Sequence, residues 1–477
     1  MMKILFAAAE AAPFIKTGGL ADVAGSLPKA LHQLGEDVRV VLPLHRQIQD
    51  QWIGEMHKIA EFYVDIGWKH EYCGVLELVH DGVTYYFLDN KYYFWRPSPY
   101  GQFDDGERYI FFSKAVCRLP RILNWKIDII HANDWHTGLV PVYVHDYRSG
   151  DSFYRDVRTL FTIHNLQYQG QFDLSLFYWT NLSSIYCGDD QLKFYDSINF
   201  MKAAIVYADR VNTVSPTYTQ EIHYPFFAHG LQNVIQAYDG KISGILNGID
   251  DQVWNPKTDR KIFYPYDSSS LSLRKKNKKA LQEKYGLPVQ ANRPLVSMVT
   301  RLTSMKGLDL ITHIAEELMK RDLEFIVLGT GDPGYEQRLR QLSQTYPKKC
   351  SARIYFSDEE SHQIYSATDI FLMPSISEPC GLSQMIAMRY GALPLVRETG
   401  GLRDSVQAYN KYEGTGDGFS FSNINADDLL YVLDEALDLY QHYPDQFRAL
   451  QLRAMKKDFS WESSSKAYLD LYRSLIA

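Results

Sequence analysis

Cysteine is scarce and scattered: five in 477 residues, Cys73, Cys117, Cys187, Cys350 and Cys380, odd in number and never spaced Cys-x-x-Cys. That excludes a disulfide framework and a zinc knuckle, and it points to a reducing compartment. No run approaches the roughly 20 apolar residues that a bilayer span needs. The apolar start, Ile4 to Ala9, is interrupted by Glu10 and reads as a buried strand rather than a leader. Positive charge is not in excess: 50 Lys and Arg stand against 57 Asp and Glu, a net charge of −7. A broad basic surface is therefore absent, which excludes nucleic acid and anionic membrane as expected partners. There is no His-Glu-x-x-His, no ligand-spaced Cys/His set and no Asp-x-Asp, so neither a metal nor a resident cofactor is expected. An anionic ligand would have to be held by a few placed side-chain cations. A cytoplasmic location is the expectation.

Length argues for more than one core, since 477 residues exceed what a single domain usually encloses. Short apolar or β-branched runs alternate with stretches of helical period, the pattern of parallel sheets covered by helices on both faces. In the first half, strands are predicted at Lys3 to Ala9, Asp37 to Leu42, Val83 to Leu88, Ile127 to His131 and Thr159 to His164. A helix through Leu20, Val23, Ala24, Leu27, Leu31 and Leu34 closes at Gly35. A polar, Ser-rich stretch from Asp259 to Lys279 reads as the crossing between domains. A second alternating series follows, with strands at Leu295 to Thr300, Leu323 to Leu328, Arg353 to Phe356, Ile370 to Met373 and Leu393 to Val396. The expected fold class is α/β: two doubly wound, Rossmann-like domains facing a deep interdomain cleft, over residues 1–244 and 245–455. A last helix within 456–477 is expected to pack back on the first domain.

In such sheets ligands sit at the carboxyl ends of the strands, so the loops there carry the search. Lys16-Thr17-Gly18-Gly19-Leu20 joins the first strand to its helix, where free N–H groups and the helix dipole favour an anion; the plainer alternative is a simple turn with an exposed lysine. Arg301 and Lys306 follow a buried strand of the second series, a forked cation and a compact one that together suit a diphosphate; they also read as ordinary surface charges. Glu378 precedes Pro379, Cys380, Gly381, Leu382 and Ser383 at the start of a helix. Its carboxylate can reach hydroxyls while the helix start faces phosphate, or it can simply cap the helix. Asp134, His164, Asn165 and Asn247 lie at further strand ends and offer hydrogen bonds to hydroxyls, with turn formation or core satisfaction as the plainer roles. Gly329-Thr-Gly331-Asp-Pro-Gly334 matches a dinucleotide fingerprint and keeps an oxidoreductase as a rival. A noncatalytic glucan-binding protein is the rival from another class, drawing on the 34 tyrosines and eight tryptophans.

Taken together, Lys16-Thr-Gly-Gly-Leu-Ala-Asp22, His131-Ala-Asn-Asp134-Trp-His, Phe161-Thr-Ile-His164-Asn165, Lys202-Ala-Ala-Ile-Val-Tyr-Ala-Asp209, Val214-Ser-Pro-Thr-Tyr218, Asn247-Gly-Ile-Asp250, Arg301-Leu-Thr-Ser-Met-Lys306-Gly307 and Glu378-Pro-Cys-Gly-Leu382 closely resemble the bacterial and plant glycogen/starch synthases. The resemblance spans nearly the whole chain. It implies a GT-B fold and retaining transfer of glucose from ADP-glucose to the nonreducing end of glycogen or another α-1,4-glucan. It implies that Lys16 with the Gly18 and Gly19 backbone meets the diphosphate side, and that Arg301 and Lys306 hold the phosphates. His164, Asn165, Asn247 and Glu378 would surround the glucosyl ring, with Asp22 and Asp134 near the reacting hydroxyl and sugar. Cys380, Gly381, Leu382 and Ser383 would border the donor, and Phe356 would stack on the base. Two departures stand out. Ile386 occupies the place of the second carboxylate of the wider Glu-x7-Glu pattern, and Ser383 stands where a threonine is expected.

Overall fold

The run from Lys3 to Ala7 is buried from Ile4 onward because it is the middle strand of a nine-stranded sheet, with parallel neighbours on both sides. The computed structural model describes residues 1–476. Its contacts divide the chain into two units, Met1–Gly248 with Trp461–Ala477, and Ile249–Ser460. The divisions fall a few residues beyond the expected 244 and 455.

In the first unit the strand order is Ile242–Gly244, Arg210–Thr213, Arg158–Ile163, Ile129–Asn133, Lys3–Ala7, Asp37–Pro43, Val83–Asp89, Lys69–His80, His57–Ile66. Succession runs outward from Lys3–Ala7 in one direction through Asp37–Pro43 and in the other from Ile129–Asn133. The space beyond the carboxyl ends of Lys3–Ala7 and Ile129–Asn133 is thus the topological switch point, where two successive loops leave in opposite directions. The strands His57–Ile66 and Lys69–His80 form an antiparallel hairpin at the sheet edge. They are absent from the sequence reading because their pattern mixes exposed and buried positions, as an edge demands.

The helix Trp461–Ile476 belongs to the first unit. Tyr468, Tyr472 and Leu475 share a core with Leu20, Val23, Leu27 and Leu31 of the helix Gly19–Gln33. Two tyrosine hydroxyls lock it to the sheet: Tyr472 contacts His131 Nδ1 at 2.7 Å, and Asn212 Nδ2 donates to Tyr468 at 3.1 Å.

The second unit has a six-stranded, all-parallel sheet in the order Cys350–Arg353, Glu324–Leu328, Leu295–Val299, Ile370–Met373, Leu393–Arg397, Phe419–Phe421. Its switch point lies between Leu295–Val299 and Ile370–Met373. The predicted strand at 353–356 sits earlier, so Phe356 falls in the loop beyond it. The stretch 259–279 is not a plain crossing, because it runs into the helix Arg274–Tyr285. Lys278 there is buried and paired with Asp369 at 2.7 Å, and Asp369 also accepts the amide of Leu295 at 2.9 Å. Asp259 likewise accepts from the Tyr390 hydroxyl at 2.6 Å and lies 2.7 Å from His362 Nδ1. Charges that look solvated in sequence are bonded internally, the condition for burying them.

Candidate active site

The loop that leaves Lys3–Ala7 returns as Lys16-Thr17-Gly18-Gly19 at the start of the helix Gly19–Gln33, with Gly18 as an extended N-cap lacking any side-chain bond. Beneath it lies Glu10, whose Oε2 accepts the Thr17 amide at 2.5 Å. Burial raises the Glu10 carboxyl to about 7 against that hydrogen bond. Lys16, half exposed, pairs with Asp22 at 2.7 Å. A methyl added at Gly19 would meet no atom within 4 Å, so the fold itself makes no demand for glycine there.

Across the switch point, Ile129–Asn133 ends at Asp134, a non-glycine residue at φ 56° and ψ 177°. That conformation costs about 1–3 kcal/mol and persists only where neighbours enforce it. They do: the Asp134 amide donates to the Thr162 carbonyl at 2.9 Å, its carbonyl accepts from Thr137 N at 3.0 Å, and its Oδ1 accepts the His164 amide at 2.8 Å. The carboxylate therefore holds the start of the His164-Asn165 loop. Burial lifts its proton affinity to about 7, opposed by the amides of His164 and Asn165. Burial also depresses His164 to about 3 and pushes His131 and His136 well below the usual histidine range, so these rings are neutral near pH 7. Asn247 completes the polar groups of this unit. Its Oδ1 is buried with no hydrogen-bond partner among the described residues, so it can accept a hydrogen bond from a bound group.

In the second unit the loops after Leu295–Val299 and Ile370–Met373 meet. Gly307, at φ 75°, lies so close to the Pro374 carbonyl that any Cβ would collide with it. This contact brings Lys306 Nζ to within 2.5 Å of Glu378 Oε2, which also accepts from Ser375 Oγ at 3.0 Å. Glu378 does not cap the following helix: Ser383–Arg389 has Leu382 as its N-cap with no side-chain bond. Cys380 is buried, Gly381 takes φ 73°, and Leu382 and Ser383 are partly exposed at the helix start. Arg301 is exposed and forms no ion pair among the described residues. Phe356 is 84% exposed.

The fingerprint Gly329 to Gly334 has a structural explanation. A Cβ at Gly329 would strike the Thr300 carbonyl, and the Leu302 amide bonds the Thr330 carbonyl at 2.9 Å. The loop is thus spent on holding the 300–302 segment.

Several residues escape the sequence reading. Glu10 looks like a strand terminator, and Asn133 is one polar residue of the strand-end stretch His131 to His136 with no partner assigned to it. Arg397 is buried and donates Nε to the Ser375 carbonyl at 2.8 Å and Nη2 to the Ile376 carbonyl at 2.5 Å, fixing the loop that bears Glu378. The Gly401 amide bonds the carbonyls of Glu378 and Pro379 at 3.2 and 3.1 Å. The loop itself carries a signal in the sequence: Glu398-Thr-Gly-Gly-Leu-Arg-Asp404 repeats Lys16-Thr-Gly-Gly-Leu-Ala-Asp22 in all but two positions.

Two Rossmann-like units with polar loops at both switch points match two family models, starch synthase catalytic domain over residues 3–237 and glycosyl transferases group 1 over residues 279–449. Fold and loops together define a glycosyltransferase of the GT-B class. The chain is 51% identical to a glycogen synthase of Finegoldia magna, over 100% of both chains, and 48% identical to one of Geobacillus stearothermophilus, over 100% of this chain and 98% of that one. The catalytic domain of starch synthase IV from Arabidopsis thaliana, solved with ADP and acarbose, superposes with a TM-score of 0.93 at 33% identity, covering 100% of this chain and 99% of that one. The chain belongs to the glycogen synthase family, and its reaction is glucosyl transfer in glycogen biosynthesis. Among the described residues no helix is long and apolar enough to cross a membrane.

Proposed function

We propose that the enzyme moves glucose from ADP-glucose to the nonreducing end of an α-1,4-glucan with retention, in the cytoplasm. The observation that carries the donor half is the pairing of Lys306 with Glu378 at 2.5 Å, with Arg301 of the same strand-end loop exposed and forming no ion pair among the described residues. Breaking a sugar–phosphate bond places negative charge on the leaving diphosphate and positive charge on the anomeric carbon. Preorganised charges of each sign are the largest stabilisation a site can supply for that step. Arg301 and Lys306 serve the phosphates; Glu378 serves the glucosyl ring, with His164, Asn165 and the open Oδ1 of Asn247. Lys16 and the Gly18-Gly19 backbone face the diphosphate, and the space at Gly19 supports close approach. Asp22 and Asp134 stand on the acceptor side, the helix start at Cys380, Gly381, Leu382 and Ser383 borders the donor, and Phe356 offers its exposed ring to the base.

With no protein nucleophile assigned, the departing phosphate oxygen accepts the proton of the attacking hydroxyl on the same face of the sugar. The C–O bond to phosphate breaks as the new glycosidic C–O bond forms. Radiolabelled ADP-glucose incubated with glycogen, and the label counted in precipitated glucan, tests the assignment. Incorporation should exceed that from UDP-glucose and survive EDTA. No incorporation, or a preference for UDP-glucose, overturns the donor; a specific requirement for magnesium or manganese overturns neutralisation by side chains alone.

A further inference from the structure

Asn133 is fully buried at the end of Ile129–Asn133, with its amide wedged between three polar groups. Nδ2 lies 3.1 Å from the Ala7 carbonyl and 3.3 Å from the His131 carbonyl, and Oδ1 lies 3.0 Å from His164 Nε2. Carbonyl oxygens cannot donate, so the NH2 end of the amide must face them. That leaves Oδ1, which can only accept, pointing at the imidazole, and Nε2 must carry the ring proton. His164 Nδ1 is then a bare lone pair, and no described protein group is bonded to it.

We propose that Asn133 is a positioning residue that fixes the Nε2–H tautomer of His164 and so presents Nδ1 as a hydrogen-bond acceptor for a hydroxyl of the transferred sugar. The inference rests on the proposal that His164 faces that sugar. It has a consequence for substrate class. An acceptor nitrogen takes a hydroxyl, whereas it repels a carboxylate oxygen and has nothing to bind in a deoxy position. The facing hydroxyl is thus read by a group left unpaired when it is missing, the arrangement that discriminates most sharply.

A neutral ring also suits the chemistry, because an imidazolium would oppose the positive charge that develops on the sugar. Burial, rather than a neighbouring charge, keeps it so. His131 and His136 are neutral, and the Asp134 carboxylate is turned to the backbone amides of His164 and Asn165. Burial alone depresses the ring to about 3.

Long-range 1H–15N NMR of histidine-labelled protein, with the His164 signals assigned by a His164→Gln variant, reads the tautomer without reference to activity. Wild type should show Nε2 protonated and Nδ1 bare from about pH 6 to pH 8. Nδ1 protonated in the wild type, or a ring titrating in that range, overturns the inference whether or not the variant folds. Asn133→Asp puts a carboxylate against Nε2, so the ring should take up a second proton near neutral pH. Its kcat should fall by about tenfold or more at about pH 6.5 and recover as pH rises, with KM for glucan within about twofold of wild type. A protonated ring in the variant together with unchanged kcat overturns the acceptor role. If His164→Gln itself keeps wild-type kcat, the placement of His164 at the sugar fails instead, and the NMR result still separates the two.

Discussion

Lys306 Nζ and Glu378 Oε2 lie 2.5 Å apart, on loops separated by 72 residues in sequence. Glu378 is 7% exposed, so its hydrogen-bond partners are this cation and the Ser375 hydroxyl rather than bulk water. Lys306→Ala should lower kcat by about a hundredfold and reduce the melting temperature, because it strands a buried carboxylate. Glu378→Gln keeps shape and the Ser375 contact and should lose nearly as much kcat as Glu378→Ala. The double variant should lose much less than the two single losses multiplied together, since the residues act as a unit. Multiplicative losses in kcat would show that they act separately, and near-normal kcat in Glu378→Gln would remove its charge from the mechanism.

Arg301 gives a cleaner test of phosphate binding. It is exposed and unpaired among the described residues, so Arg301→Ala should melt with the wild type while kcat falls by about a hundredfold. Turnover within a few-fold of wild type would end its assignment to the leaving group.

A methyl at Gly19 meets nothing in the protein. Gly19→Ala should leave the melting temperature unchanged or slightly raised, as expected for alanine replacing glycine in a helix, while kcat/KM for ADP-glucose drops by about tenfold or more. Unimpaired kcat/KM would place the ligand away from this helix start.

Burial raises the Glu10 carboxyl from its ordinary 4.5 to about 7. A raised folded-state value means that the protonated form is the one the fold prefers. Its contribution is whole below about pH 4.5 and lost as pH climbs through about 7. Glu10→Gln keeps an oxygen for the Thr17 amide and never ionises. It should melt several degrees above wild type at about pH 8, a gain of at most about 3 kcal/mol. The two should converge near pH 4.5. Scanning calorimetry of both proteins across that range checks this, and equal melting temperatures at pH 8 would refute a buried, proton-retaining Glu10.

The strand Ile370–Met373 agrees residue for residue with its run of apolar side chains, and Lys3–Ala7, Glu324–Leu328 and Leu393–Arg397 agree to within two residues at either end. Parallel strands buried on both faces carry their pattern in every residue, so local sequence suffices. The loops that bear Lys16, Asp134, Arg301, Lys306 and Glu378 were legible for a related reason: glycine, proline and charge at a strand end are local signs. What local sequence could not decide is which loops meet. The Lys306–Glu378 pair exists because two strands lie side by side in the sheet and Gly307 permits contact with Pro374. Glu10 reads as the end of an apolar run until the 11–18 loop folds over it, and Asn133 reads as one polar residue of a strand-end stretch until His164 is placed beside it. Lys278 looked solvated because its partner Asp369 lies 91 residues away. The sequence by itself determined the central buried parallel strands of the two sheets and the chemistry stored at their ends, but not the edge hairpin His57–Ile66 and Lys69–His80 or the short strands Arg210–Thr213, Ile242–Gly244 and Phe419–Phe421. Partnerships between distant charges, and the protonation states that burial imposes on Glu10, Asp134 and His164, were decided only by tertiary structure. Desolvation and hydrogen-bond geometry depend on neighbours that no stretch of sequence contains.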